Sequence, residues 1–241
     1  MLSALTRLLP FQCAFCRTWP SWSRPAGVCG VCADCLHSFG GARPRCPRCA
    51  LPTPVPGQHC GACLRHPPAL AHCFAAVDYA YPWQAAIGQF KFQHQPAWAR
   101  TMADICLQQA DARALVRAAD RIVPVPLARA RLQERGYNQA WELAKALARR
   151  SGQRHKLDVR LVLRQPGAAP QVGQGRAARL RNLRQAFVLA EDTPPLHGQG
   201  ILLVDDVMTT GATLQALAMR LQAAGASRVD GLVFARTEAP S

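Results

Sequence analysis

The sequence contains no continuous apolar run of 18 or more residues, the length that a membrane-spanning helix needs. It also lacks the pattern G-x-x-x-x-G-K-[ST], without which a P-loop nucleotide hydrolase has no phosphate cradle. The leucines of residues 1–11 are separated by Thr6 and Arg7, and no small-residue cleavage site follows, so this segment does not fit a signal peptide. We therefore expect a soluble, cytoplasmic protein and leave open that it works at the inner face of the membrane.

Acidic residues are scarce in this chain. The 241 residues include 29 Lys and Arg but only 14 Asp and Glu, which gives a formal net charge of +15. Such a surplus suits a polyanionic partner, either a nucleic acid or a membrane surface. Because the positive charges are spread along the chain, an arginine-rich composition without functional meaning stays open as an alternative.

Cysteine is nearly absent after residue 73 and abundant before it. Ten of the 11 cysteines lie in the first 73 residues, and most form Cys-x-x-Cys pairs, a spacing that presents two thiolates to one metal ion. The pairs make two four-cysteine sets: Cys13, Cys16, Cys32 and Cys35, then Cys46, Cys49, Cys60 and Cys63. We predict two structural Zn²⁺ ions, each closed by four cysteines.

Two alternatives remain for these sets. Cys29 and Cys32 also form a Cys-x-x-Cys pair and could supply the second pair of ligands in the first set. We favour Cys32 and Cys35 as that pair. In the second alternative the pairs interleave, with the first and third pairs sharing a metal ion, but sequential pairing needs the simpler topology. A Pro- and Gly-rich segment of this size has too little core to fold alone, so we expect metal binding to drive its folding. Cys73 and Cys106 are predicted core residues.

The composition changes near residue 70, where cysteine thins out and strands begin to alternate with helices. We predict a zinc-ribbon domain over residues 1–70 and an α/β domain over residues 71–241, with a parallel sheet flanked by helices. The predicted strands are residues 74–81, 121–126, 201–204 and 229–234. The predicted helices are residues 83–92, 97–119, 139–150 and 214–221, the third of them capped by Asn138.

Residues 201–214 join a buried strand to two carboxylates and a hydroxyl-rich turn. Asp205 and Asp206 are predicted at the carboxyl end of this strand, where open parallel sheets bind ligands. The Thr-Thr-Gly-x-Thr turn leads into a helix, so free N–H groups, hydroxyls and the helix dipole all favour a phosphate. The carboxylates suit the cis-hydroxyls of a ribose, or a metal ion held by a sugar phosphate.

This stretch resembles the phosphoribosyl pyrophosphate (PRPP) loop of type I phosphoribosyltransferases, without a gap from residue 201 to residue 214. The resemblance implies that Asp205 and Asp206 hold the ribose hydroxyls and are the catalytic residues, with Mg²⁺ accompanying PRPP. The implied 5′-phosphate site consists of Thr209, Thr210, Gly211, Ala212 and Thr213.

Basic residues after the predicted strand 121–126 offer a second anion site. Arg129, Arg131 and Arg135 lie in a predicted loop, and their planar guanidinium groups suit a pyrophosphate. For this stretch alone, a solvated basic helix is an equal alternative. PRPP carries a pyrophosphate as well as a 5′-phosphate, so we predict that these three arginines bind it. The pattern continues in Arg176, Arg179, Arg181 and Arg184, and residues 165–175 are a predicted loop that closes over the site.

The order of motifs along nearly the whole chain resembles the ComF family, which includes bacterial competence proteins. The motifs are the two cysteine sets, Tyr79-Ala80-Tyr81, Phe90-Lys91-Phe92, Val123-Pro124-Val125-Pro126, Arg135-Gly136-Tyr137-Asn138-Gln139, Gln171, Arg179-x-x-Asn182 and the PRPP loop. The resemblance implies a zinc ribbon in the hood position and a PRPP-binding phosphoribosyltransferase domain. It also implies a role in DNA uptake or use, with single-stranded DNA and competence or DNA-processing proteins as partners.

Two functions follow from these observations. The first is an enzyme that transfers the phosphoribosyl group of PRPP to an unassigned acceptor, a nucleobase of salvage being one option. The second is a non-catalytic factor that binds single-stranded nucleic acid and whose PRPP site is a sensor or a vestige. Aromatic residues would serve the second by stacking on bases, although their helical spacing favours core packing; they are Trp83, Phe90, Phe92 and Trp98.

Overall fold

A parallel sheet organises the computed structural model, which describes residues 10–21, 30–40, 43–165, 186–191 and 193–238. Its four strands stand in the order β1–β6–β5–β2; they are β1 (His72–Asp78), β2 (Arg121–Pro124), β5 (Gly200–Met208) and β6 (Arg228–Arg236). All three pairings are parallel, so the carboxyl ends of the strands share one edge. A separate antiparallel pair joins β3 (Val162–Arg164) to β4 (Phe187–Leu189).

Helices cover both faces of the sheet, which explains why the middle of each central strand is apolar, at residues 201–204 of β5 and 231–235 of β6. In chain order they are α1 (Ala33–Phe39), α2 (Gly61–Arg65), α3 (Trp83–Phe92), α4 (Trp98–Gln108), α5 (Ala110–Ala118), α6 (Arg129–Arg135), α7 (Gln139–Arg150) and α8 (Ala212–Ala223). One core lies between the sheet and helices α3, α4, α5 and α7. The other lies between the opposite face, α8 and the β3–β4 pair. Successive residues of β5 enter opposite cores, Leu202 the first and Leu203 the second.

The two cysteine segments pack against opposite cores. In the first segment, the Phe15 ring lies edge-on to Trp83, with ring centroids 4.8 Å apart, and stacks on Trp98 at 6.1 Å. In the second segment, Ala50 is fully buried in the other core. Because both segments share cores with the sheet, the division into domains 1–70 and 71–241 stays a prediction.

The predicted elements are found, with three differences in their limits. The predicted helix 97–119 is interrupted at Gln109, whose side-chain amide donates to the Ala76 carbonyl of β1 at 3.2 Å. The predicted loop at residues 129–135 is the helix α6. Strand β5 extends to Met208, so Asp205 and Asp206 lie within it and not after it.

The predicted cap of α7 is confirmed. Asn138 caps α7, because its Oδ1 accepts the backbone N–H groups of Ala140 at 2.9 Å and Trp141 at 3.4 Å. Gly225 follows the end of α8 with a positive φ of 99°. Across the ranges that the structure describes, no helix is both long and apolar enough to cross a membrane.

Candidate functional site

The candidate site lies where β5 extends beyond its neighbour β2. Pairing with β2 ends at Val204, which accepts the N–H of Val125 at 2.9 Å. The Val125 carbonyl, the next acceptor that β2 would offer to β5, instead accepts a hydrogen bond from Asn138 Nδ2 at 3.0 Å. Pairing with β6 continues to Met208. Beyond the end of β2, the backbone N–H of Asp206 donates to Asp205 Oδ1 at 2.9 Å. One edge of β5 is therefore open at the two carboxylates.

The two carboxylates have different surroundings. Asp206 is only 6% exposed; its Oδ1 accepts the N–H of Val207 at 2.7 Å, while its buried Oδ2 has no hydrogen-bond partner in the described part of the chain. Lys91 Nζ lies 3.0 Å from that Oδ2, at an ion-pair distance but without hydrogen-bond geometry. Burial raises the pKa of Asp205 well above its usual value, and the neighbouring Asp206 charge raises it further. A hydroxyl or a cation would satisfy the free oxygen.

The loop after β5 has the form of a phosphate cradle. Thr209 and Thr210 are exposed, Gly211 has a left-handed φ of 78°, and α8 begins at Ala212. The Ala212 N–H donates to Thr210 Oγ1 at 3.3 Å, and the next N–H groups at the start of α8 have no intrahelical acceptor. These groups and the helix dipole favour an anion, as the sequence predicts.

The three predicted pyrophosphate ligands differ in exposure. Arg129 and Arg131 are exposed on α6, whereas Arg135 is 7% exposed and its guanidinium carbon lies 5.1 Å from the centre of the Phe92 ring. Arg131 and Arg135 are four residues apart and lie on the same face of the helix, whereas Arg129 lies on another. Burial lowers the pKa of Arg164, and the Arg131 charge lowers it further.

A group of buried donors surrounds Arg135. Its Nη1 donates to Gln139 Oε1 at 3.0 Å, but Arg135 Nε and Gln139 Nε2 have no acceptor among the described residues. Tyr137 donates its hydroxyl hydrogen to the Phe90 carbonyl, which joins this group to the end of α3. Lys91 in the same turn approaches Asp206, so unsatisfied donors and an unsatisfied acceptor converge on one region.

Each cysteine set comes together in space. Within each set the four sulfur atoms lie within 4.8 Å of one another, with Cys16 and Cys32 at 3.6 Å and Cys49 and Cys60 at 3.5 Å. Tetrahedral zinc with Zn–S bonds of about 2.3 Å requires sulfur separations of ~3.8 Å, so both sets fit the ion. At Cys46, burial opposes ionisation, but backbone N–H donors lower the thiol pKa to about 6.

Several sequence predictions fall outside the described residues. They are the alternative ligand Cys29, the arginines 176, 179, 181 and 184, the motif residues Gln171 and Asn182, and all but the first residue of the loop 165–175. Among the proposed base-stacking aromatics, Trp83, Phe90 and Trp98 are buried in the core, which confirms the packing role that their spacing favours. Phe92 is 62% exposed.

Sequence reasoning gave no role to Lys91, Gln139 or Arg236. Lys91 and Gln139 stood inside recognised motifs, which was the available signal. Arg236 is the last residue of β6, 3% exposed, and donates to the carbonyls of Met208, Thr209 and Cys49. Nothing in the local sequence distinguishes it from a surface arginine.

Comparison with known proteins agrees with this geometry. Residues 135–240 match the family model described as Phosphoribosyl transferase domain. The chain is 33% identical over 232 residues to the DNA utilization protein YhgH of Salmonella typhimurium, covering 95% of this chain and 98% of the relative. It is 31% identical over 233 residues to Competence protein F of Haemophilus influenzae, covering 94% and 97%. The chain belongs to the ComF family.

The ComF-family chain has a type I phosphoribosyltransferase fold that carries two four-cysteine clusters of the zinc-ribbon kind. A solved purine phosphoribosyltransferase from Pyrococcus horikoshii aligns with 57% of this chain and 83% of its own, at 18% identity and a TM-score of 0.32. That level of structural similarity supports no argument about the site.

Replacing Gly211 with alanine tests the cradle conformation. The residue would keep a left-handed φ, and its Cβ would meet Met208 Cε, the end of a flexible side chain that can move aside, so we expect Gly211→Ala to lower the free energy of unfolding by roughly 1–2 kcal/mol, chiefly through backbone strain. Gly88→Ala is the control, because a Cβ at this site in α3 meets nothing within 4 Å and should stabilise by about 0.5–1 kcal/mol. Urea unfolding measures both, and equal stability of Gly211→Ala and wild type would contradict the assigned loop conformation.

Proposed function

We propose that this chain binds PRPP at the open edge of β5 and acts in the uptake or use of DNA as a phosphoribosyltransferase-type protein. The buried Asp206 Oδ2 carries the proposal, because its only described partner is the ion pair with Lys91 and it has no hydrogen bond among the described residues. A buried carboxylate oxygen of this kind, near a helix start and unsatisfied donors, favours a ligand that has both hydroxyl and anionic groups. PRPP has hydroxyls for the carboxylates and phosphates for the donors. The names of the relatives, DNA utilization protein and Competence protein F, support the cellular role.

Each residue has a distinct task in this proposal. Asp205 and Asp206 accept hydrogen bonds from the ribose hydroxyls, and the loop Thr209, Thr210, Gly211, Ala212 and Thr213 holds the 5′-phosphate. Arg135, Gln139 and Lys91 are placed to meet the pyrophosphate, whereas Arg129 and Arg131 would steer it from the surface. Asp205, Asp206 and the pyrophosphate oxygens would hold Mg²⁺, which neutralises charge on the departing pyrophosphate.

The reaction this arrangement supports is displacement at C1 of the ribose. The bond between C1 and the pyrophosphate oxygen breaks, pyrophosphate leaves with the bonding electrons, and an acceptor forms the new bond to C1. Positive charge develops on the ribose, so carboxylates beside it stabilise the transition state. The acceptor is unassigned; a screen for pyrophosphate release with bases, nucleosides and single-stranded DNA would identify it, or show that binding is the whole activity.

Replacement of the carboxylates separates binding from folding. We expect Asp206→Asn to weaken PRPP binding by about 10- to 150-fold, because a hydrogen bond to a charged group contributes roughly 1.5–3 kcal/mol. Asp205→Asn should also weaken binding but should raise the melting temperature. The folded state raises the Asp205 pKa, so ionisation at neutral pH costs stability as pH rises above the unfolded pKa, and the amide removes that cost.

Calorimetry with PRPP and Mg²⁺, and thermal unfolding without them, measure the two effects. Glu191→Gln is the control, because it removes one exposed carboxylate away from β5 and should change neither. Undiminished PRPP binding by Asp206→Asn would remove the site assignment.

We also propose that the two cysteine sets bind one zinc ion each. Metal analysis should give two zinc ions per chain, and Cys63→Ser should leave one, since the remaining set is complete without it. Cys106→Ala, a buried cysteine outside both sets, should still bind two. A wild-type protein refolded with zinc that holds fewer than two ions would overturn this assignment.

Two exposed rings favour a role in binding single-stranded DNA. The Tyr81 ring is 76% exposed and meets the edge of Phe39, 38% exposed, with centroids 5.9 Å apart. Tyr81 follows β1 at the carboxyl edge of the sheet, the edge that also carries Asp205 and Asp206. Exposed rings on a chain of net charge +15 suit base stacking with phosphate contacts.

Tyr81→Ala should weaken binding of an oligothymidylate by about 5- to 150-fold, the range of one base stack of roughly 1–3 kcal/mol. Affinity of wild type should fall steeply as salt rises, because phosphate contacts release counterions. Leu64→Ala, which alters another exposed apolar side chain (67% exposed), is the control and should bind like wild type. Fluorescence anisotropy measures all three, and no binding by wild type at low salt would exclude this role.

A further inference from the structure

Arg236 joins two parts of the molecule that the sequence keeps far apart. Its Nε donates to the Cys49 carbonyl at 2.9 Å, and its Nη1 lies 3.1 Å from the Met208 carbonyl and 2.8 Å from that of Thr237. The Thr209 carbonyl is a further acceptor of Nη1. Nη1 has two hydrogens, so these carbonyls share it, and one guanidinium therefore bridges the segment around Cys49 and the end of β5.

The bridged segments have different roles in the proposed function. Cys49 belongs to the first knuckle of the second cysteine cluster (Cys46, Cys49, Cys60 and Cys63). Met208 ends β5, and Thr209 begins the phosphate loop. Cys73 connects the same two segments. Its N–H donates to the Pro47 carbonyl at 2.7 Å, and its Sγ lies 3.6 Å from Met208 Sδ. The second cluster thus touches the start of the loop through two side chains.

The surroundings of Arg236 are unusual for a buried charge. Its side chain is 3% exposed, and none of the ion pairs found among the described residues gives it a carboxylate. Burial lowers its pKa, as expected for a guanidinium that is removed from water. Four thiolates around one Zn²⁺ carry a net charge of −2, so an occupied cluster would compensate the guanidinium where no carboxylate does.

We propose that Arg236 is a positioning residue that fixes the Met208 and Thr209 carbonyls to the second cysteine cluster, so that an intact cluster is a condition of PRPP binding. The expected effect on PRPP binding rests on the proposed function, whereas the hydrogen bonds of Arg236 do not. Without the guanidinium, the Cys49 carbonyl loses its described donor, and the Met208 and Thr209 carbonyls keep only Thr237, through its N–H at 3.1 Å and its hydroxyl at 3.5 Å. The loop then loses the described hydrogen-bonded bridge between its backbone and that of the cluster.

Arg45 provides a matched control. It also is a largely buried arginine that ties the second cluster segment to the sheet, since Nη1 donates to the Ala50 carbonyl at 3.0 Å and Nη2 pairs with Asp78 at 2.8 Å. No described contact of Arg45 reaches the loop. Removing it should loosen the segment without disturbing Met208 or Thr209.

The experiment compares Arg236→Gln, Arg236→Lys and Arg45→Gln in the full chain. Measurements are the dissociation constant for PRPP with Mg²⁺, amide hydrogen exchange over residues 209–214, zinc content and melting temperature. We expect Arg236→Gln to keep two zinc ions, to exchange at least tenfold faster in the loop and to bind PRPP at least tenfold more weakly. Arg236→Lys should recover part of both losses, because its ammonium still donates to carbonyls.

Arg45→Gln should lower the melting temperature and leave loop exchange and PRPP affinity within about twofold of wild type. If both Gln variants lose stability and affinity in parallel with equal loop exchange, Arg236 is a general anchor and the proposal is wrong. Wild type that binds no PRPP would contradict the proposed function, whereas the exchange comparison would still decide whether Arg236 positions the loop.

Discussion

The candidate site depends on a mismatch in length between two neighbouring strands. Strand β5 runs four residues beyond its last pairing with β2 at Val204, and the Asp206 N–H, which would be the next donor to β2, donates to the Asp205 side chain instead. Asn138 fixes this strand end, since its Nδ2 donates to the Val125 carbonyl at 3.0 Å while its Oδ1 caps α7. Two carboxylates thus stand on an open strand edge in a largely buried position, where a β2 of full length would have covered them.

Burying polar groups without hydrogen bonds costs folding free energy in the ligand-free protein, and the identity of these groups indicates which ligand the site binds. Asp206 Oδ2, Arg135 Nε and Gln139 Nε2 are buried without hydrogen bonds among the described residues, and Asp205 is held beside a second acid. Buried polar groups without partners are rare in folded proteins and cluster where a ligand completes them. An acceptor on β5 and donors near α6 and α7 call for a ligand with hydroxyls and anionic oxygens, and that requirement is independent of any family likeness.

Much of the scaffold could be predicted because its signals are local. The apolar run of β5, the periodicity of α3, the cap at Asn138 and the spacing of the cysteine pairs each depend on a few adjacent residues. What failed or was missed depends on distant partners. The break at Gln109 follows from its bond to Ala76 of β1, and Lys91 meets a carboxylate far along the chain. The helix α6 has seven residues and no apolar period, so its sequence could not separate it from a loop.

The two cysteine clusters differ in what they contact, although their sequences are alike. The first cluster carries Phe15 into the core between Trp83 and Trp98, on the face of the sheet covered by α3 and α4. The second reaches the backbone at the end of β5 through Arg236. A small metal-binding module stabilises its host wherever it buries apolar surface, but it acts on a site only where rigid contacts join the two. Because a buried guanidinium offers several fixed donors at once, Arg236 connects the second cluster segment to the backbone from which the loop after β5 begins.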